Sequence, residues 1–207
     1  MAKPTRIPRQ ERSTKTRERI IAGARTCFAS RGYDATQTRD IAAEAGMSVG
    51  TFYEYFNDKA AVFRSVLDDF YAGLEQLDIE STLTGQPGPS GWASLLATLR
   101  TWVLSFGRLF GDFYTLGIRD PAFEQALSTF ESRIESRLTD LLTEVTFAQN
   151  RDVAAQSARL VYTVMESLLL RSIPEERPEI RESLLKEASI CLDAYLRARA
   201  ESIEHST

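Results

Sequence analysis

Histidine is almost missing from this 207-residue chain, whose single copy, His205, stands in a polar C-terminal tail. A histidine-based nucleophilic triad or a His/Cys metal cluster has no material to work with, so no catalytic residues, metal or other cofactor are expected, and the chain is not expected to be an enzyme. Cysteine is also scarce. Cys27 and Cys191 lie far apart on the apolar faces of expected helices, which reads as two small core residues in a reducing cytoplasm rather than a disulfide. No apolar run approaches the roughly 18 residues of a membrane span, and the basic, polar N-terminus is unlike a secretion signal. A soluble cytoplasmic protein without a membrane partner is expected. Proline and glycine are few, 7 and 11, and they cluster once, in residues 81–91 (STLTGQPGPSG), which read as a linker.

What is present is an uneven distribution of charge. The net charge of -4 conceals 11 Lys/Arg against 7 Asp/Glu in residues 1–60, and 14 against 22 in the remainder. Eight of the basic residues fall within the first 25 positions. Such a cluster favours phosphate contact through counterion release, although a charged run can equally be a solvated face. Residues 1–14, with Pro4 and Pro8, read as a basic flexible arm able to reach a minor groove.

The most informative segment is Thr38 to Lys59, TRDIAAEAGMSVGTFYEYFNDK. Ile41, Ala42 and Ala45 share one face of a short helix that Gly46 ends. Ser48 is placed to cap a second helix starting near Val49, in which Val49, Phe52 and Phe56 recur at three and four residues, leaving Thr51, Tyr53 and Tyr55 on other faces. Two short helices joined by a glycine-containing turn, the second bearing exposed hydroxyls, match a helix-turn-helix whose second helix enters the major groove. A helical hairpin within a core has the same spacing. The preceding residues 17–38, with Ile20, Ala24, Cys27 and Phe28 on one helical face and Gly32-Tyr33 closing the helix, favour the DNA-binding alternative.

Over Ile20 to Ala24, Phe28, Gly32-Tyr33, Ala35-Thr36, Arg39 to Ala42, Ala45-Gly46, Ser48, Gly50 to Tyr53, Tyr55-Phe56 and Lys59, the chain resembles the tetracycline-repressor (TetR) family of bacterial transcription regulators. The resemblance covers about the first quarter to third of the chain. It implies that Thr51 and Tyr53 contact phosphates and that Arg39, Val49, Gly50 and Tyr55 approach bases. Chemistry alone leaves Arg39 open to a bidentate guanine contact, a phosphate or a surface pair with Asp40 or Glu44, and leaves Tyr53 and Tyr55 open to partial core packing. Thr36, Thr38 and Ser48 complete the expected DNA-facing set, with Lys59 placing its ammonium beside the first N–H groups of the next helix.

The fold expected is all-α: a three-helix DNA-binding domain at residues 15–59, a connecting helix at 60–80, the linker at 81–91 and a helical ligand-binding and dimerisation domain at 92–207, about nine helices in total. In the last domain Trp92, Trp102, Phe106, Phe110, Phe113, Tyr114, Phe123 and Phe130 recur at helical spacing. Each can be a core residue, and together they can line a cavity in which Glu166 orients a polar end. By resemblance, this region binds a small effector. The last two helices carry Val161, Met165, Leu168 and Leu169, then Leu184, Ala188, Cys191, Leu192 and Tyr195, a surface that either packs within one chain or forms a four-helix interface with a second copy. The expected partners are double-stranded DNA, a second copy of the chain and a hydrophobic or aromatic effector. A homodimer would address successive major grooves about 34–36 Å apart, hence a palindrome. The alternative is a ligand-independent helical nucleoid-associated protein.

Overall fold

The computed structural model describes residues 9–147, 150–172 and 177–204. Among them are ten helices: α1 (Arg9–Arg31), α2 (Thr38–Glu44), α3 (Val49–Tyr55), α4 (Lys59–Glu75), α5 (Ile79–Gly85), α6 (Pro89–Leu104), α7 (Leu109–Arg119), α8 (Pro121–Val145), α9 (Arg151–Ser172) and α10 (Pro178–Glu204). The extra helix relative to expectation is α5. The chain divides into two compact units: one runs to Glu75 and takes in Phe106–Phe113, and the other comprises Gln76–Ser105 and the chain from Tyr114 onward.

In the first unit α1 packs on both α2 and α4, and α2 on α3. The core is built from Ile20, Ala24 and Phe28 of α1, Ile41 and Ala42 of α2, Phe52 of α3 and Phe63, Val66 and Phe70 of α4, all essentially buried. Helix α1 can approach α2 closely because Gly23 lacks a side chain: a Cβ there would stand 3.0 Å from the Ala45 nitrogen. The excursion Phe106–Phe113 belongs to this core. Phe106 meets Phe70 edge-on at 4.7 Å, Phe110 lies 5.8 Å from the same ring, and the Arg25 guanidinium sits 5.5 Å above Phe106. Gly107 makes the approach possible, with φ +57 and room for no Cβ, which would stand 2.9 Å from the Ala29 carbonyl oxygen. Asp112 then accepts a 2.6 Å hydrogen bond from the Tyr33 amide at the end of α1.

In the second unit α8 lies along α9, and α6 packs on α10, α5 and α9. Leu95, Leu96 and Leu99 of α6, Phe123, Leu138 and Leu142 of α8, and Ala154, Ala158 and Val161 of α9 form its interior. Pro121 opens α8 at the first-turn position where a missing N–H costs nothing.

Two boundaries differ from the sequence expectation. Residues 9–14 of the expected arm are helical, because beyond Pro8 nothing breaks the chain and Lys15 pairs with Glu11 at 2.8 Å, one turn apart; residues 1–8 lie outside the described residues, as does His205. The expected linker is mostly helix. Asp78 caps α5 by accepting a 3.0 Å bond from the Ser81 amide, which offsets the glycine-rich composition and confines the break to Gln86–Gly88.

Candidate nucleic-acid interface

Helices α2 and α3 are short, so their ends govern their geometry. Helix α2 begins with the Gln37 amide donating to Asp40 Oδ2 at 2.9 Å. It ends at Gly46, with φ +67, where the Gly46 and Met47 amides reach back to the carbonyls of Ala43 and Ala42. Only a residue tolerant of left-handed backbone closes a helix this way. Arg19 of α1 donates to the Ala45 carbonyl at 2.8 Å, placing a cation at the negative end of α2. The turn then passes to Ser48, whose Oγ accepts from the Thr51 amide at 3.0 Å and shares a 3.0 Å bond with the Thr51 hydroxyl.

The first turn of α3 is open to solvent. Ser48, Val49 and Gly50 are exposed, Thr51 is half-buried, and Tyr53 is 52% exposed. The Tyr53 hydroxyl shares a 3.2 Å hydrogen bond with Thr38 at the start of α2, and its ring meets Phe52 edge-on. That bond joins the two helix starts into one surface bearing Thr38, Arg39, Ser48 to Thr51 and Tyr53. Arg39 is exposed and Tyr55 half-buried, while Phe52 and Phe56 are core. Val49, expected to pack on α2 and also to approach bases, keeps 39% of its surface exposed.

Two expected members of the face have other engagements. Thr36 is 1% exposed, and its hydroxyl donates within α1 and its turn, to Gly32 O at 2.7 Å and to Cys27 O at 3.3 Å; it is a buried stop on α1 rather than a DNA-facing residue. Lys59, half-buried at the start of α4, donates to the Tyr33 carbonyl at 2.7 Å and stands 4.1 Å above the Tyr33 ring. Burial lowers its pKa, against an opposing influence from Asp34. These Lys59 and Asp112 links to the Tyr33 region join residues 26 and 79 positions apart, which no periodicity reveals.

The expected effector-lining residues separate into two groups. Phe106, Phe110 and Phe113 fall in the N-terminal unit, where all three are buried and the first two lie beside Phe70. Trp92, Trp102, Tyr114, Phe123, Phe130 and Glu166 belong to the C-terminal unit. There Tyr114 meets Phe130 edge-on, its hydroxyl shares a 2.8 Å bond with that of Tyr162, and Tyr162 donates to Glu166 at 3.3 Å. Burial, foremost, holds both tyrosines protonated well beyond the ordinary phenol range. Tyr162 completes this polar chain without a signal in the sequence, since a tyrosine on a helix looks the same whether or not its hydroxyl has company.

The expected dimer residues also divide. Val161, Met165, Leu169, Ala188 and Leu192 are buried by their own bundle. Leu168 and Tyr195 are half-buried, and Leu184 and Cys191 are exposed, which corrects the reading of Cys191 as core; Cys27 is buried. Leu160 of α9, outside the expected set, is 43% exposed.

Residues 20–66 match the family model described as "Bacterial regulatory proteins, tetR family". The chain is 33% identical over 82 residues to the HTH-type transcriptional regulator TtgR of Pseudomonas putida, covering 40% of this chain and 39% of that protein. It is 29% identical over 123 residues to the HTH-type transcriptional regulator YfiR of Bacillus subtilis (strain 168), covering 59% of this chain and 52% of that protein. The chain spans between a quarter and about half the length of the curated relatives it matches. Among solved structures, a transcriptional regulator from Rhodococcus sp. Rha1 superimposes with a TM-score of 0.64 at 20% identity, covering 87% of this chain and 95% of that one. The multidrug binding protein EbrR, complexed with imidazole, superimposes with a TM-score of 0.65 at 19% identity over 86% and 94% of the two chains. These likenesses establish the fold alone. Among the described residues no helix is long and apolar enough to cross a membrane.

Proposed function

We propose that the chain, whose residues 20–66 match the model of the tetR family of bacterial regulatory proteins, is a member of that family, a sequence-specific DNA-binding transcription regulator and not an enzyme. It acts as a repressor, bound as a homodimer to a palindromic operator and released by a small hydrophobic or aromatic effector. The observation that carries the reading is the capped, solvent-facing start of α3, where Ser48, Val49, Gly50, Thr51 and Tyr53 present small and hydroxylic groups beside Thr38 and Arg39.

A small apolar surface at Val49 and Gly50 permits close approach to thymine methyls or backbone, and hydroxyls donate to phosphate oxygens. Arg39 supplies base readout and Lys59, with the start of α4, a phosphate contact. Release follows from an effector that prefers one conformation over the other; equal affinity for both would shift nothing. Sequencing the DNA that co-purifies with the protein, followed by footprinting, should reveal protection of a palindrome that survives competitor DNA. Uniform protection without a preferred site would replace this reading by the nucleoid-associated one.

A further inference from the structure

We propose that the C-terminal unit contains a binding site for a small aromatic carboxylate, in a cavity of about 300 Å³ enclosed by α5, the turn after it, α6, the end of α8 and α10. That volume is at the lower end of the range in which small-molecule sites occur. The floor is apolar and interior: Trp92, Leu142 and Leu196 are at most 5% exposed. Val145, 39% exposed, stands at the rim.

The wall is fixed in advance. Gly91 lies directly against the Gln86 carbonyl, leaving no room for a Cβ, and Ser94 donates to Gln86 Oε1 at 2.9 Å. A preformed wall spares a ligand the ordering cost of closing a loop. Gly88, at φ +87, holds the turn open, and a Cβ there would stand 3.3 Å from Arg197 Nη2.

Charge at the mouth selects the ligand. Arg197 uses Nε to donate to Asp193 Oδ2 at 2.8 Å, and the side chains of the two are 65% and 16% exposed. The cation is therefore the member presented to solvent. A guanidinium bonded through Nε keeps its Nη fork for a carboxylate, in the planar two-bond geometry that such pairs favour, while the Asp193 carboxylate, which also lines the cavity, is the more buried member of the pair. A ring on the Trp92 floor and an acid group on Arg197 satisfy both ends. At 100° per residue, Asp193, Arg197 and Ala200 lie on the side of α10 away from Leu184, Cys191 and Ala198, so a partner seated on the latter leaves the cavity open. The inference stands on this geometry whether or not the chain reads DNA.

The test is a titration of the full chain with benzoate, benzylamine and benzyl alcohol, followed by calorimetry and tryptophan fluorescence. Benzoate is expected to bind saturably and more tightly than the other two. Arg197→Gln should weaken it about tenfold or more, and Val145→Trp, which fills the mouth from an exposed position, should abolish it. Arg151→Gln, which removes a surface ion pair with Asp140, should leave benzoate binding unchanged. Circular dichroism establishes that each variant is folded. Benzylamine binding as tightly as benzoate, benzoate binding indifferent to both cavity substitutions, or no saturable binding up to about 10 mM would overturn the proposal.

Discussion

Ser48 carries two roles that can be separated experimentally. Its hydroxyl caps α3 through the Thr51 amide, and its exposure puts it on the face proposed to meet DNA. Ser48→Ala is expected to cost about 1 kcal/mol of stability, the usual cost of losing an N-cap, measured by urea unfolding, and to weaken DNA binding as the first turn of α3 frays. Ser48→Asp keeps a capping oxygen and adds a negative charge. It should unfold at nearly the same urea concentration as the parent while losing more DNA affinity than the alanine variant, because the carboxylate repels phosphate. An aspartate variant that keeps the parent's affinity while the alanine variant loses it would mean that only helix order matters at this position. Lys59 is less easily divided, since its ammonium already serves the Tyr33 carbonyl and ring.

At the scale of elements, the capping and periodicity of α2 and α3 were legible because every determinant is local: Ile41 and Ala42 inward, a glycine at the stop, a serine at the restart. The same holds for α8, announced by Pro121 and by the spacing of Phe123, Leu127 and Leu138. Composition failed where one residue outweighs its neighbours, as when the Asp78 cap makes a helix of residues that otherwise read as linker. It failed differently for Phe106 and Phe110, whose helical spacing is right but whose destination is set by the Gly107 turn. That turn yields a prediction. Gly107→Ala places a side chain at φ +57 and a Cβ 2.9 Å from the Ala29 carbonyl oxygen, so both backbone strain and a clash oppose it. A loss of about 1–3 kcal/mol is expected, read as a lowered thermal midpoint. Gly111→Ala is the control: it lies within α7, and a Cβ there meets nothing within 4 Å, so stability should hold or rise. Equal effects at the two positions would show that the Phe106–Phe113 excursion does not depend on its turn.

For the whole molecule, the apolar surface left on α9 and α10 bears on assembly. Much of the expected dimer stripe is consumed within the protomer by Val161, Met165, Ala188 and Leu192, yet Leu160, Leu184 and Cys191 stay exposed. An intramolecular core needs none of these three; a twofold contact would cover them, since in such an interface the same patch meets itself. If that is the interface, Leu184→Glu puts two like charges into a desolvated contact and should shift sedimentation from dimer to monomer at micromolar concentration. The folded protomer should be nearly unaffected, because Leu184 is already 39% exposed. Operator protection should fall with the dimer, as one recognition helix holds only half a site. Cys191 supplies an independent reading on the unaltered chain: its exposed thiol should react readily with a thiol reagent in dilute solution and slow as concentration favours the dimer. Cys27, buried and with its thiol pKa raised foremost by desolvation, should react only on unfolding. A Cys191 rate that stays the same from the dilute to the concentrated sample, alongside an unchanged sedimentation of the Leu184 variant, would place the dimer contact elsewhere.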